Sequence, residues 1–182
     1  EGAKEGIPVI QEPKNNVFVN DGSISIVGKT YFENQPCSIY LDNKRVRDLV
    51  SGDDFSFIFS PENVLSDGEH SVYVVTETGV SAVSSFVVDT IRPAEPTVMK
   101  MVIITYEQVG DMINTYIAIG GEYFDTDVKS LMIYLDDKIF IDNISLNPDR
   151  YNFWNYNFTK DLSIGVHKIS VRAIDQANNV SI

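Results

Sequence analysis

"LSDGEHSVYV" (residues 65–74) and "LSIGVHKISV" (residues 162–171) are one pattern written twice. Each places a glycine two residues before a histidine, then alternates side chains with a period of two. That is the period of a β-strand, whose successive residues point to opposite faces. His70 therefore shares a face with Val72 and Val74, and His167 with Ile169 and Val171. Other segments recur outward from this pair. "IYLDNK" at 39–44 returns as "IYLDDK" at 133–138, an offset of 94, whereas the histidine segments are offset by 97. "VGKTYFE" from Val27 is echoed by "GGEYFD" from Gly120, and "GVS" ending at Ser81 by "NVS" ending at Ser181. Matches kept in one order with small insertions describe a tandem repeat of about 95 residues, the size of an autonomous domain rather than a solenoid unit.

Within a copy, "SISIVG", "CSIYLD", "DFSFIFS", "HSVYVVT" and "SSFVVD" all alternate, and Asp21-Gly22, Ser51-Gly52-Asp53 and Asp67-Gly68 mark turns between them. No stretch keeps helical spacing. Short strands at such intervals predict an all-β chain of two tandem immunoglobulin-like antiparallel β-sandwiches. The expected domains are 1–90, with 1–6 as linker, and 91–182. Between them lies "VVDTIRPAEPTV", where Pro93 and Pro96 bring no amide donors to a sheet and restrict the backbone.

Composition narrows the function. The net charge is −12, divided as −8 before residue 91 and −4 after it, so both halves repel phosphate. With no basic stripe, nucleic acid is not expected, and with no apolar run approaching the length of a membrane span, neither is membrane insertion. Cys37 is the only cysteine, which rules out an intrachain disulfide. The sequence contains no P-loop, dinucleotide fingerprint, zinc spacing or nucleophile elbow, so no enzyme is expected.

"GKTYFENQPCSIYLDNK", "FSFIFSPENVLSDGEHSVYVV", the exit "FVVDTIRPAEP" and "LSIGVHKISVRAIDQANNVS" together resemble the tandem bacterial immunoglobulin-like (Big) repeats of surface adhesins and related exported or phage proteins. The last segment is similar to that family's A-x-D-x-A-G-N-x-S turn, with Asn178 at the usual glycine. The resemblance implies a non-enzymatic extracellular spacer or adhesive module of a bacterial surface protein. The alternative is a carbohydrate-binding accessory module of an exported enzyme or of a phage tail or capsid, located on a virion. The implied partners are neighbouring immunoglobulin-like domains and a host receptor or glycan. No cofactor is required, but calcium is implied near the domain junction through the linker and turn aspartates, here Asp89 and Asp175, with Glu77 as the nearest further acid in the first copy. Copy two stops where copy one continues with "AVSSFVVDT", so its final strand is expected to be missing.

The remaining candidates have plain structural readings. The acids flanking His70 become Ile164 and Val166 around His167, so a histidine at the core entrance, bonded to a turn, is expected. In "YNFWNYNF" (151–158), pairing Phe158 with Phe59 sets Trp154 against Phe55 and Tyr156 against Phe57, all facing inward. Cys37 aligns with Leu131 and should be a small buried hydrophobe. Tyr40, Tyr134 and Phe153 point outward and are the candidate ligand surface.

Overall fold

A computed structural model describes residues 6–99, 105–109, 112–146, 152–158 and 166–182. The chain divides into two compact units, Glu1–Ile91 and Arg92–Ile182. Every regular element among the described residues is a strand.

Unit 1 contains β1 (Val9–Glu12), β2 (Val17–Val19), β3 (Ile26–Lys29), β4 (Pro36–Leu41), β5 (Lys44–Val50), β6 (Ser56–Phe59), β7 (Gly68–Thr76), β8 (Gly79–Val80) and β9 (Ser84–Val88). One sheet has the order β1-β3-β6 and the other β2-β9-β7-β4-β5, with β8 beside β7. Only the β2 to β9 pairing is parallel. The first segment thus serves both sheets, β1 on one and β2 on the other, as in an immunoglobulin-like sandwich. Ile26 and Phe57 from the first sheet meet Cys37, Ile39, Leu41, Val72, Val74, Phe86 and Val88 from the second in one core. Each such side chain stabilises the fold by about 1.5–3 kcal/mol through burial.

Unit 2 repeats the plan with β10 (Thr105–Val109), β11 (Met112–Glu122), β12 (Val128–Leu135), β13 (Lys138–Ser145), β14 (Phe153–Phe158) and β15 (Ile169–Asp175). Its sheets run β10-β11-β14 and β13-β12-β15. Thr97 and Met99 hydrogen-bond to β11 at Glu122 and Gly120, in the place that β1 takes beside β3. Ile119, Trp154 and Phe158 pack against Leu131, Ile133, Val171 and Ala173 as the second core. Along β15, β12 occupies one edge; on the other, the described residues contribute only the Ile174 to Val180 bridge.

Two glycines fix the equivalence of the aromatic strands. A Cβ on Gly28 would fall 2.2 Å from the Phe57 ring and 2.4 Å from the Val9 carbonyl. On Gly121 it would fall 1.8 Å from the Thr97 carbonyl and 2.9 Å from Trp154 Nε1. Gly28 pairs with Phe57 and Gly121 with Trp154, so Phe57, not Phe55, corresponds to Trp154. This corrects the register expected from sequence by two residues. Trp154 and Phe158 are buried and Tyr156 is half-buried, as expected, but Phe55 lies outside β6 and is exposed. The strand's alternation holds; only its alignment between copies slipped.

The β4–β5 and β12–β13 connections are two-residue hairpins. Asp42 and Asn43 have φ of 50° and 62°, and Asp136 and Asp137 have 50° and 61°. Left-handed backbone at both central residues defines a type I′ turn, which Asp and Asn tolerate better than most residues.

Candidate functional site

The repeated histidines gain their partners from these hairpins. Asp42 Oδ2 lies 2.8 Å from His70 Nδ1, and Asp42 Oδ1 accepts the backbone N–H of Ser71 at 2.8 Å. In unit 2, Asp136 Oδ2 lies 2.8 Å from His167 Nδ1, and Asp136 Oδ1 accepts the Lys168 N–H at 3.0 Å. Each hairpin aspartate therefore latches the turn to the start of the neighbouring long strand. His70 Nε2 also lies 2.8 Å from the Ser66 carbonyl, so the ring has an acceptor at both nitrogens. Burial works against its charged form, but the bond to Ser66 and the bond and charge of Asp42 outweigh this and raise its pKa. Asp136 is held below the usual carboxylate range, first by the Lys168 N–H and then by His167. His70 also packs against Phe86, with ring centroids 5.7 Å apart. This is the turn-bonded histidine at the core entrance that the sequence suggested. Its acid, however, is not one of the discarded flanking residues but the aspartate retained in "IYLDNK" and "IYLDDK".

Of the acids singled out for calcium, the two in unit 1 stand far apart. Glu77 is exposed in the turn after β7, whereas Asp89 follows β9, whose last residue pairs with the first residue of β7. Nine residues of strand at about 3.3 Å each put them roughly 30 Å apart, at opposite poles of unit 1. Asp89 closes its strand: its N–H donates to the Val19 carbonyl at 2.9 Å, and its Oδ1 accepts the Ile91 N–H at 3.0 Å. Asp175 is fully buried and shapes its own turn, accepting Asn179 N at 2.8 Å and Asn179 Nδ2 at 2.9 Å. Asn178 takes the left-handed conformation there, at φ 71°, which asparagine accepts more readily than most residues. A carboxylate oxygen of Asp127 lies within 4.8 Å of one of Asp175. The sequence reading did not include Asp127; its signal was proximity to the aromatic "EYFD" segment rather than any motif.

Tyr40 stacks on Tyr73, with centroids 4.8 Å apart and planes at 8°. Tyr134 carries the Arg172 guanidinium over its ring at 4.9 Å. Phe153 is exposed, but it lies on β14, in the sheet opposite the β12 that bears Tyr134. Outward residues of facing sheets point away from each other, so Tyr134 and Phe153 form no common platform. Trp154 is 5% exposed and donates Nε1–H to the Thr97 carbonyl at 3.1 Å. Cys37 is buried, and burial followed by the nearby Asp48 pushes its thiol up to about 11.

No family model matches this chain, and no curated protein sequence matches it significantly. Among solved structures, it is similar to a chimeric titin Z1Z2-Z1Z2 tandem functionalized with a GRGDS peptide from fibronectin, at 12% identity over 96% of each chain and a TM-score of 0.32. A chimeric titin Z1Z2 functionalized with a KLER peptide from decorin is similar at 14% identity, over 98% of this chain and 94% of that one, with a TM-score of 0.33. Likeness at this level carries no argument about this chain. The assignment of two immunoglobulin-like β-sandwich modules rests on the strand order and the two cores described above.

Proposed function

We propose that the chain is a non-enzymatic pair of immunoglobulin-like modules, akin to bacterial immunoglobulin-like repeats, that acts as a semi-rigid spacer in an exported surface protein. The observation that carries this reading is how closely each unit secures the connecting segment. On the side of unit 1, Thr90 N donates to Asp67 Oδ1 at 2.7 Å and Ile91 N to Asp89 Oδ1. On the side of unit 2, Ala94 N already donates to Asp125 Oδ2. Arg92 and Pro93 alone lie between, and the proline ring fixes one of their few soft dihedrals. A junction this short suits a stalk that transmits position to its neighbouring domains and, at a distal tip, to a receptor or glycan.

Small-angle scattering tests the reading. A Gly-Ser-Gly-Ser insertion between Arg92 and Pro93 should broaden the distribution of intramolecular distances relative to the unaltered chain. Equal breadth before and after insertion would remove the spacer.

Calcium belongs to the same proposal. Two carboxylates, Asp127 and Asp175, offer at most four oxygens, so backbone carbonyls or water must complete a shell of six to eight. Bound there, the ion would hold the Asp175 turn. Excess calcium should raise the melting temperature of unit 2 relative to chelator, and Asp127→Asn should abolish the difference. Superimposable curves for the unaltered chain would dispose of the ion.

A further inference from the structure

The pole of unit 1 opposite Ile91 carries an aromatic cluster built differently from the rest of the surface. Tyr31 and Phe32 are 45% and 51% exposed, with rings edge to face at 4.9 Å. Their loop is held from beneath by buried polar groups. Gln35 Oε1 accepts the N–H groups of both Tyr31 and Phe32 at 3.3 Å, and Gln35 Nε2 donates to Thr78 Oγ1 at 3.1 Å. The Thr30 hydroxyl lies 2.7 Å from Ser51 Oγ and 2.8 Å from the Phe32 carbonyl. Thr30 N donates to the Phe55 carbonyl at 2.8 Å, which brings a third aromatic residue to the same rim.

Phe55 is the informative residue. It is 42% exposed and has a φ of 69°. A bulky side chain in the left-handed region is strained, and such outliers collect at functional positions. Its equivalent in unit 2 is Asn152, at φ 70°, a residue that accepts this backbone readily. The same turn is thus made comfortably by asparagine in one copy and at a cost by phenylalanine in the other. The ring, not the turn, accounts for the choice.

Exposed carboxylates flank the three rings: Glu33 follows Phe32, and Asp53 and Asp54 precede Phe55. Asn34 Nδ2 donates to Asp53 Oδ1 at 2.9 Å and ties the two loops together. Asp54 accepts the Ser56 hydroxyl at 2.6 Å and the Ser56 N–H at 3.1 Å. Aromatic faces and carboxylates both attract cations, and an arginine or lysine side chain can use the two at once. We propose that this pole docks a basic peptide segment of a partner protein, with a guanidinium or ammonium group set against the rings of Tyr31, Phe32 and Phe55.

The test uses the intact chain and a fluorescently labelled, amide-capped tetra-arginine peptide at physiological salt, read by anisotropy. The unaltered chain should bind. Phe55→Asn installs the residue of the sister turn, and it should keep or raise the melting temperature while weakening binding about ten-fold. A Tyr31→Ala, Phe32→Ala double variant should do the same to binding, and Phe124→Ala, at the exposed aromatic of the corresponding loop in unit 2, should change nothing. All these variants keep the net charge, so they separate ring contacts from general attraction to an acidic protein. Failure of the unaltered chain to bind, equal affinity in all variants, or ring-dependent binding of neutral oligosaccharides in place of the peptide would each overturn the proposal.

Discussion

A histidine with an acceptor at each ring nitrogen satisfies both only when doubly protonated, and His70 is in that position between Asp42 and Ser66. Its folded-state pKa is raised above the ordinary imidazole value. The latch therefore contributes fully below that ordinary value and is lost as pH rises through the raised one. Unit 1 should melt at a lower temperature at pH 8 than at pH 6 by calorimetry. Asp42→Ala should flatten this dependence and cost about 1–2 kcal/mol at the lower pH. Asp136 works in the opposite sense: its depressed pKa gives stability that is present above the usual carboxylate range and lost as pH falls through the folded value. Cys37 yields a chemical prediction. With its thiol at about 11 and its side chain buried, it should resist alkylation at pH 8 until the protein unfolds. Rapid labelling of the native chain would show that the β4 face is open. The histidines were legible in the sequence because they recur, but the pairing was not. Asp42 and His70 stand 28 positions apart and meet only because β4 and β7 lie side by side.

Among the elements, alternation exposed β4, β7 and β9, where buried and exposed side chains take turns. It could not reveal β5. "KRVRDLV" is solvent-facing at six of its seven positions, so it carries the composition of a loop while hydrogen-bonding along the edge of β4. Charged residues on an edge strand also deter pairing with other chains. The hairpins joining β4 to β5 and β12 to β13 had a signal in the Asp-Asn and Asp-Asp pairs that opens only with the left-handed reading of both residues. The register slip in the aromatic strand arose because "FSFIFS" and "FWNYNF" both alternate, and alternation cannot distinguish a shift of two. Glycine does distinguish it. Gly28→Ala should destabilise unit 1 and Gly121→Ala unit 2, each by about 3 kcal/mol, because a methyl group would displace the β1 or the Thr97 backbone. Denaturant unfolding of the two variants checks this, and a neutral Gly121→Ala would mean that the Thr97 segment does not lie where the structure places it.

For the whole molecule, duplication is the informative feature. Side chains that invite functional readings recur in both copies, and most of them serve the fold: the histidines fasten hairpins, Ser81 and Ser181 accept strand N–H groups at Val74 and Ala173, and Trp154 fills the space that Gly121 leaves. What the copies do not share, Phe55 against Asn152 or Thr78 against Asp175, is where the two units can differ in partner and ion. None of this could be weighed from one copy of the sequence. The most direct test of a chain built from two self-sufficient sandwiches is amide hydrogen exchange on the intact protein. The slowest amides should fall in matching positions, on β4 and β7 in unit 1 and on β12 and β15 in unit 2, with the Trp154 indole N–H also protected. Slow exchange confined to one unit, or an indole proton that exchanges within the dead time, would contradict the account.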